Sequence, residues 1–209
     1  MITTVLNKKT QESLTPDAVL ADLIEGNNRF INDKMHLRAY ARQVEATVGG
    51  QFPKAVILSY IDSRVPVETV FDQGIGDIFV ARVAGNFENT DILGSMEYSC
   101  KVAGSKLVLV IGHESYGAVK AACDGVELGN ITALLKNIEP AVKLAATQIK
   151  CEINVSNADF VAKTVENNVK LTIERIREKS TILKTMEDKG EIKIVGAVYH
   201  LTTGKIVLL

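Results

Sequence analysis

Two short segments carry side chains able to do chemistry: Tyr60-Ile61-Asp62-Ser63-Arg64 and, about fifty residues later, His113-Glu114-Ser115-Tyr116-Gly117. Together they supply a permanent cation, a carboxylate, an imidazole and two phenols. A guanidinium offers a planar fork of donors that suits carboxylate-like ions. A helix starting near Ser115 would add the backbone amides of Gly117 and Ala118 beside it. The phenols of Tyr60 and Tyr116 could donate to the same ligand, or to each other. These residue types point to recognition of a small carboxylate-like oxyanion. Plainer readings stand beside that one. Asp62–Arg64 also reads as a structural ion pair, His113 as a buried histidine at a strand end, and the tyrosines as fillers whose hydroxyls each find one partner.

The surrounding pattern must bring the two segments together. Thr15-Pro16-Asp17 reads as a helix start, with a capping hydroxyl, proline in the first turn and an acid near the positive end. Apolar spacing carries that helix to about Asn32. A second helical stretch covers roughly 37–48 and stops at Gly49-Gly50. Residues 1–14 are polar and expected to be frayed or draped over a partner. Ala55–Ser59, Asp77–Arg82 and Lys106–Ile111 are short apolar runs that read as buried strands. Pro66 opens a helical turn, and helices follow at 91–102, near 115, from about 131 to 151 and from 157 to 177. Residues 191–198 and 205–209 read as a terminal hairpin around Thr203-Gly204. The Lys/Glu-rich run from 174 to 193 reads as a solvated face. Alternating strands and helices imply an α/β fold, a mostly parallel sheet flanked by helices. Ligand sites in such sheets gather at the carboxyl ends of strands, and both segments lie there.

Composition narrows the classes. The 209 residues are 46% hydrophobic and 23% charged, with a net charge of -1. That balance supports a real core and exerts no global pull on nucleic acid or anionic membrane. No apolar run is long enough to span a bilayer, and Met1–Thr10 lacks the apolar core of a secretory signal, so the expected location is the cytoplasm. Cys100, Cys123 and Cys151 are odd in number and widely spaced, which suits core positions better than disulfides or a metal site. His36 and His200 read as surface or strand-edge residues with no constellation around them.

Beyond the residues themselves, the chain resembles the β-class carbonic anhydrases. The carriers are Leu23-Ile24-Glu25-Gly26-Asn27 with Arg29-Phe30, Gly50-Gln51-Phe52-Pro53, Asp62-Ser63-Arg64-Val65-Pro66, Gly76-Asp77-Ile78-Phe79, Arg82-Val83-Ala84-Gly85-Asn86, Gly94-Ser95-Met96-Glu97-Tyr98, Gly112-His113 and Gly196-Ala197-Val198-Tyr199. The resemblance implies one domain over 1–209, with an N-terminal helical arm (1–48) that embraces a partner and an α/β core (54–209). It also implies a homodimer or higher even oligomer. Arg64 would hold Asp62 as the catalytic pair, His113 would be the nitrogen ligand of zinc, and Gln51, Phe79, Tyr98 and Gly117 would line the substrate or anion site. Gln51 would reach in from the partner subunit.

The family's signatures are C-x-D-S-R and H-x-x-C-G, and both cysteine positions hold tyrosine here: Tyr60 and Tyr116. A phenol overshoots a metal placed for a thiolate. Forming phenolate at pH 7 costs roughly 4 kcal/mol against roughly 2 for a thiol. No metal is therefore expected, with His113 and Asp62 the donors if any binds. Ferric iron on two tyrosinates, His113 and Asp62 is the alternative cofactor. Zinc lowers the pKa of bound water by nearly nine units, roughly 12 kcal/mol of hydroxide-forming free energy, and a general base replaces little of that. The expected function is a zinc-less homologue, a pseudoenzyme or bicarbonate-binding protein. An active carbonate dehydratase, metal-free or with another metal, is the alternative, and a partner of an active paralogue in mixed oligomers is the third.

Overall fold

The computed structural model describes residues 1–114, 117–149 and 155–209. The N-terminal stretch is built rather than frayed. Asn7 and Thr10 cap helix α1 (Lys8–Glu12) reciprocally, and the buried Gln11 amide donates to the carbonyls of Pro53 and Ala103, both at 2.7 Å. Polar composition hid this docking because its partners are backbone carbonyls more than forty residues away. Helix α2 (Pro16–Ile31) starts as expected, with the Thr15 hydroxyl accepting from the Ala18 amide. Helix α3 (Tyr40–Thr47) is shorter than expected. Residues 37–39 are extended instead, bonded on either side of Ile2 (Ile2 N to Leu37 O 2.7 Å, Ala39 N to Ile2 O 2.9 Å).

The core is one five-stranded sheet. Its strands are β1 (Ala55–Ser59), β2 (Ile78–Arg82), β3 (Leu107–His113), β4 (Lys193–Tyr199) and β5 (Ile206–Leu208), in the order β2-β1-β3-β4-β5. The first four are parallel and β5 is antiparallel to β4. Strand side chains alternate between faces. Ile57, Leu107, Leu109 and Ile111 pack with Val19, Leu23, Val70 and Phe71 from α2 and the short helix α4 (Val67–Val70). Val56, Leu58, Val108 and Val110 meet the opposite layer. That layer includes α5 (Thr90–Glu97), continued by a π-helical turn over Tyr98–Val102 that the sequence read as plain helix.

Helices α6 (Gly117–Cys123), α7 (Gly129–Leu135) and α8 (Glu139–Ile149) follow β3. The expected continuous helix to Cys151 is broken at 136–138, where Pro140 restarts it in the first turn of α8. Cys151 and the helix start at Ser115 lie outside the described residues. Helix α9 (Ala158–Lys179), capped by Asn157, crosses the sheet. Helix α10 (Thr181–Asp188) occupies the run expected to be a solvated face; Leu183 and Met186 are buried beneath it and Ser180 caps it. Among the described residues, no helix is long and apolar enough to cross a membrane.

Candidate anion site at the strand ends

Strands β1 and β3 are adjacent and parallel, so the segments that leave them emerge on the same edge of the sheet. The Asp62 carboxylate takes three hydrogen bonds from Arg64: backbone N at 2.8 Å, Nε at 3.0 Å and Nη2 at 2.7 Å. That fork holds the Asp62 pKa down at about 2, against the opposing effect of burial. The other end of the arginine is wet, with its side chain 55% exposed.

Asp62 Oδ2 stands 3.5 Å from His113 Nε2, and the His113 side chain is buried. His113 Nδ1 lies 2.5 Å from the Glu114 carbonyl oxygen. A carbonyl only accepts, so Nδ1 carries the hydrogen. Burial pushes the ring's pKa below its ordinary value, more than Asp62 and the Glu114 carbonyl raise it. The ring is therefore neutral at pH 7, and Nε2 presents a lone pair toward Asp62.

Tyr60 packs edge-on against this ring, with centroids 5.2 Å apart and planes at 80°. Burial raises its pKa, Asp62 adds to the rise, and a hydrogen bond from the Ala118 backbone amide opposes it. The group is a phenol at pH 7, close to the start of α6. Gly117 is exposed at the same helix start. Tyr116 lies outside the described residues.

Arg82, to which the sequence reading gave no role, pins the loop between these groups. Its Nε donates to the Tyr60 carbonyl at 3.2 Å, and its Nη2 to those of Asp62 at 2.7 Å and Val65 at 2.8 Å. Phe79 and Tyr98 sit 6.3 Å apart in an open groove of about 730 Å³ between β2 and α5, which neither Asp62 nor His113 lines. Gln51 is exposed. Thus Asp62, Arg64, His113 and Tyr60 converge within one chain, and Gln51, Phe79 and Tyr98 stand apart from them.

Two further histidines are better connected than expected. His36 lies 3.3 Å from the buried Asp72 carboxylate, which also binds Arg29 Nε at 2.6 Å and Arg38 Nη1. His200 Nδ1 bonds the Glu114 carboxylate. Both pairings join residues far apart in sequence, so no local spacing announces them.

The donor set bears on metal binding. Two ligands about 2.0–2.1 Å from one tetrahedral ion lie roughly 3.4 Å apart, close to the 3.5 Å between His113 Nε2 and Asp62 Oδ2. Among the described residues, no group of three or more His, Cys, Asp or Glu converges. Cys123 sits at the far end of α6, its thiol pushed up to about 11 by burial and Asp124. The described residues thus offer two donors where a catalytic zinc site uses three protein ligands.

A mostly parallel sheet with an anion-suited arginine–aspartate pair and a buried histidine at adjoining strand ends defines a class that comparison makes specific. The carbonic anhydrase family profile matches residues 55–206. The chain is 33% identical over 199 residues to carbonic anhydrase 2 of Mycobacterium tuberculosis, covering 92% of each. It is 31% identical to the carbonic anhydrase of Mycolicibacterium smegmatis, covering 92% of this chain and 93% of that one. The β-carbonic anhydrase CcaA superposes with a TM-score of 0.73 at 21% identity, covering 90% of this chain and 94% of that chain. A Sordaria macrospora enzyme described as a tetrameric β-carbonic anhydrase gives 0.72 at 22% identity, covering 91% and 96%. The chain belongs to the β-carbonic anhydrase family.

Proposed function

We propose that this homologue binds a small oxyanion of the bicarbonate type at a site no longer built for zinc. The observation that carries the reading is Tyr60. At the position of a family thiolate it is a phenol, packed edge-on against His113 and kept protonated by burial. Arg64 is the donor, and Asp62 with His113 Nε2 forms a pair of acceptors. Such a pair favours a ligand that carries a hydroxyl as well as anionic oxygens. Bicarbonate has one and nitrate has none. A hydrogen bond to a charged group contributes about 1.5–3 kcal/mol. Titration calorimetry at fixed ionic strength should therefore give bicarbonate at least ~10-fold tighter binding than nitrate, and equal affinities would sink the reading.

The chemistry of the donor set argues against the family's zinc. Purified protein should carry far less than one zinc per chain by elemental mass spectrometry, and Tyr60→Cys with Tyr116→Cys should raise that content toward one. Ferric iron would require Tyr60 as phenolate, which burial opposes. A second reading, a carbonate dehydratase using another metal, draws on the 3.5 Å spacing of His113 and Asp62. Stopped-flow CO2 hydration that is lost on chelator treatment and restored by an added metal would favour it.

The same proposal takes residues 1–209 as one domain that works as a homodimer in the cytoplasm. Tyr40, Val44 and Val48 form an exposed apolar stripe along α3, with Leu37 beside it. In the proposed dimer this arm covers the partner's groove at Phe79 and Tyr98 and carries Gln51 toward the partner's site.

A further inference from the structure

We propose that His200 is a positioning residue for the anion site, acting through Glu114 to hold His113 in the tautomer that leaves Nε2 as an acceptor. The inference rests on the site reading above. Its starting point is the parallel pairing of β3 with β4, which sets His113 beside Tyr199. The residue after each strand, Glu114 after β3 and His200 after β4, then lies just past the strand ends, and their side chains meet.

The two residues differ in how firmly they are held. His200 sits at the root of the β4–β5 hairpin. Its amide donates to the Lys205 carbonyl at 2.9 Å, and its own carbonyl accepts from Thr203 at 3.2 Å and Gly204 at 2.7 Å. Glu114 begins the connection from β3 to α6. Its backbone carbonyl accepts the His113 Nδ1 hydrogen, and its carboxylate accepts from His200 Nδ1. A rigid hairpin therefore grips the side chain of the residue whose carbonyl sets the imidazole. If that grip is released, the carbonyl is free to turn. His113 then loses the fixed partner that puts its hydrogen on Nδ1, and Nε2 is no longer held as an acceptor beside Asp62.

The test reads the tautomer directly. Long-range 1H–15N spectra of the His113 ring should show a single Nδ1–H tautomer in the wild type. His200→Ala should mix the tautomers and weaken bicarbonate binding about fivefold. His200→Gln, which can still donate to Glu114, should restore both. Glu114→Ala should match His200→Ala, and the double variant should be no worse than either, because both cut the same link. If His200→Ala does not fold, Glu114→Ala carries the test alone. An unchanged His113 tautomer in the folded variants overturns the proposal. A tautomer shift in a protein whose wild type binds no bicarbonate upholds the positioning role and overturns the site reading instead.

Discussion

Asp62 stays ionised to unusually low pH because Arg64 grips both of its oxygens. Its pKa in the folded chain is about 2, against roughly 3.9 for a free aspartate. The sign follows directly. A depressed carboxylate pKa stabilises the fold fully above the unfolded value, and the contribution is lost as pH falls through the folded one. The difference in Tm between wild type and Asp62→Asn should therefore be constant from pH 7 to about 5 and should close as pH approaches 2. A difference that persists at pH 2 would mean that Asp62 contributes by shape rather than by charge. The Arg64 side chain is half exposed, so the stabilisation is modest, and in the proposed anion site the pair's larger value is to set a donor and an acceptor side by side. Asp62, Arg64 and His113 were all legible in the sequence. Arg82 and the Glu114–His200 link were not, because their partners lie 17 to 86 residues away and become neighbours only when the strands align.

At the scale of elements, the sheet depends on close helix packing. At Gly196 in β4, an added Cβ would stand 2.7 Å from Val169 Cγ1 and 2.9 Å from Ile173 Cδ1 of α9. Gly196→Ala should cost about 1–3 kcal/mol in urea unfolding, the usual penalty for overpacking. The segment between α2 and α3 depends on Asp72. Burial alone would raise its pKa, but hydrogen bonds from Arg29 and Arg38 more than reverse this and hold it below the ordinary range. Asp72→Asn leaves two guanidiniums without their carboxylate. It should cost on the order of 2–3 kcal/mol, less than the roughly 3–5 of fully buried pairs because Arg29 is partly wet. Differential scanning calorimetry and hydrogen exchange of residues 33–39 would check both the cost and its location. Sequence periodicity located α2, α9 and every strand, since each has a cap or an uninterrupted apolar run. It missed α10, where Leu183 and Met186 are the only buried residues among polar neighbours. It also joined α7 to α8, because apolar spacing continues across a turn that only the backbone reveals.

The whole molecule has a net charge of -1, so association of two copies meets little electrostatic resistance. The exposed stripe of Tyr40, Val44 and Val48 gives such association an apolar contact. Val44→Glu should convert the proposed dimer to monomer in light scattering coupled to size exclusion, with the far-ultraviolet dichroism unchanged. The same variant should weaken bicarbonate binding if Gln51 is delivered across the interface, and leave it unchanged if one chain holds a complete site.

The edge-on contact between Tyr60 and His113 also bears on what a single substitution can do at this site. The family's signatures place a thiolate at each of the positions held here by Tyr60 and Tyr116. Tyr60→Cys alone removes the ring packed against His113 and supplies one thiolate where the signatures have two. That single change gives up packing without completing the family's signature. In the proposed zinc-less site the tyrosine is part of the scaffold, and building the family's metal centre there would take two coordinated substitutions rather than one.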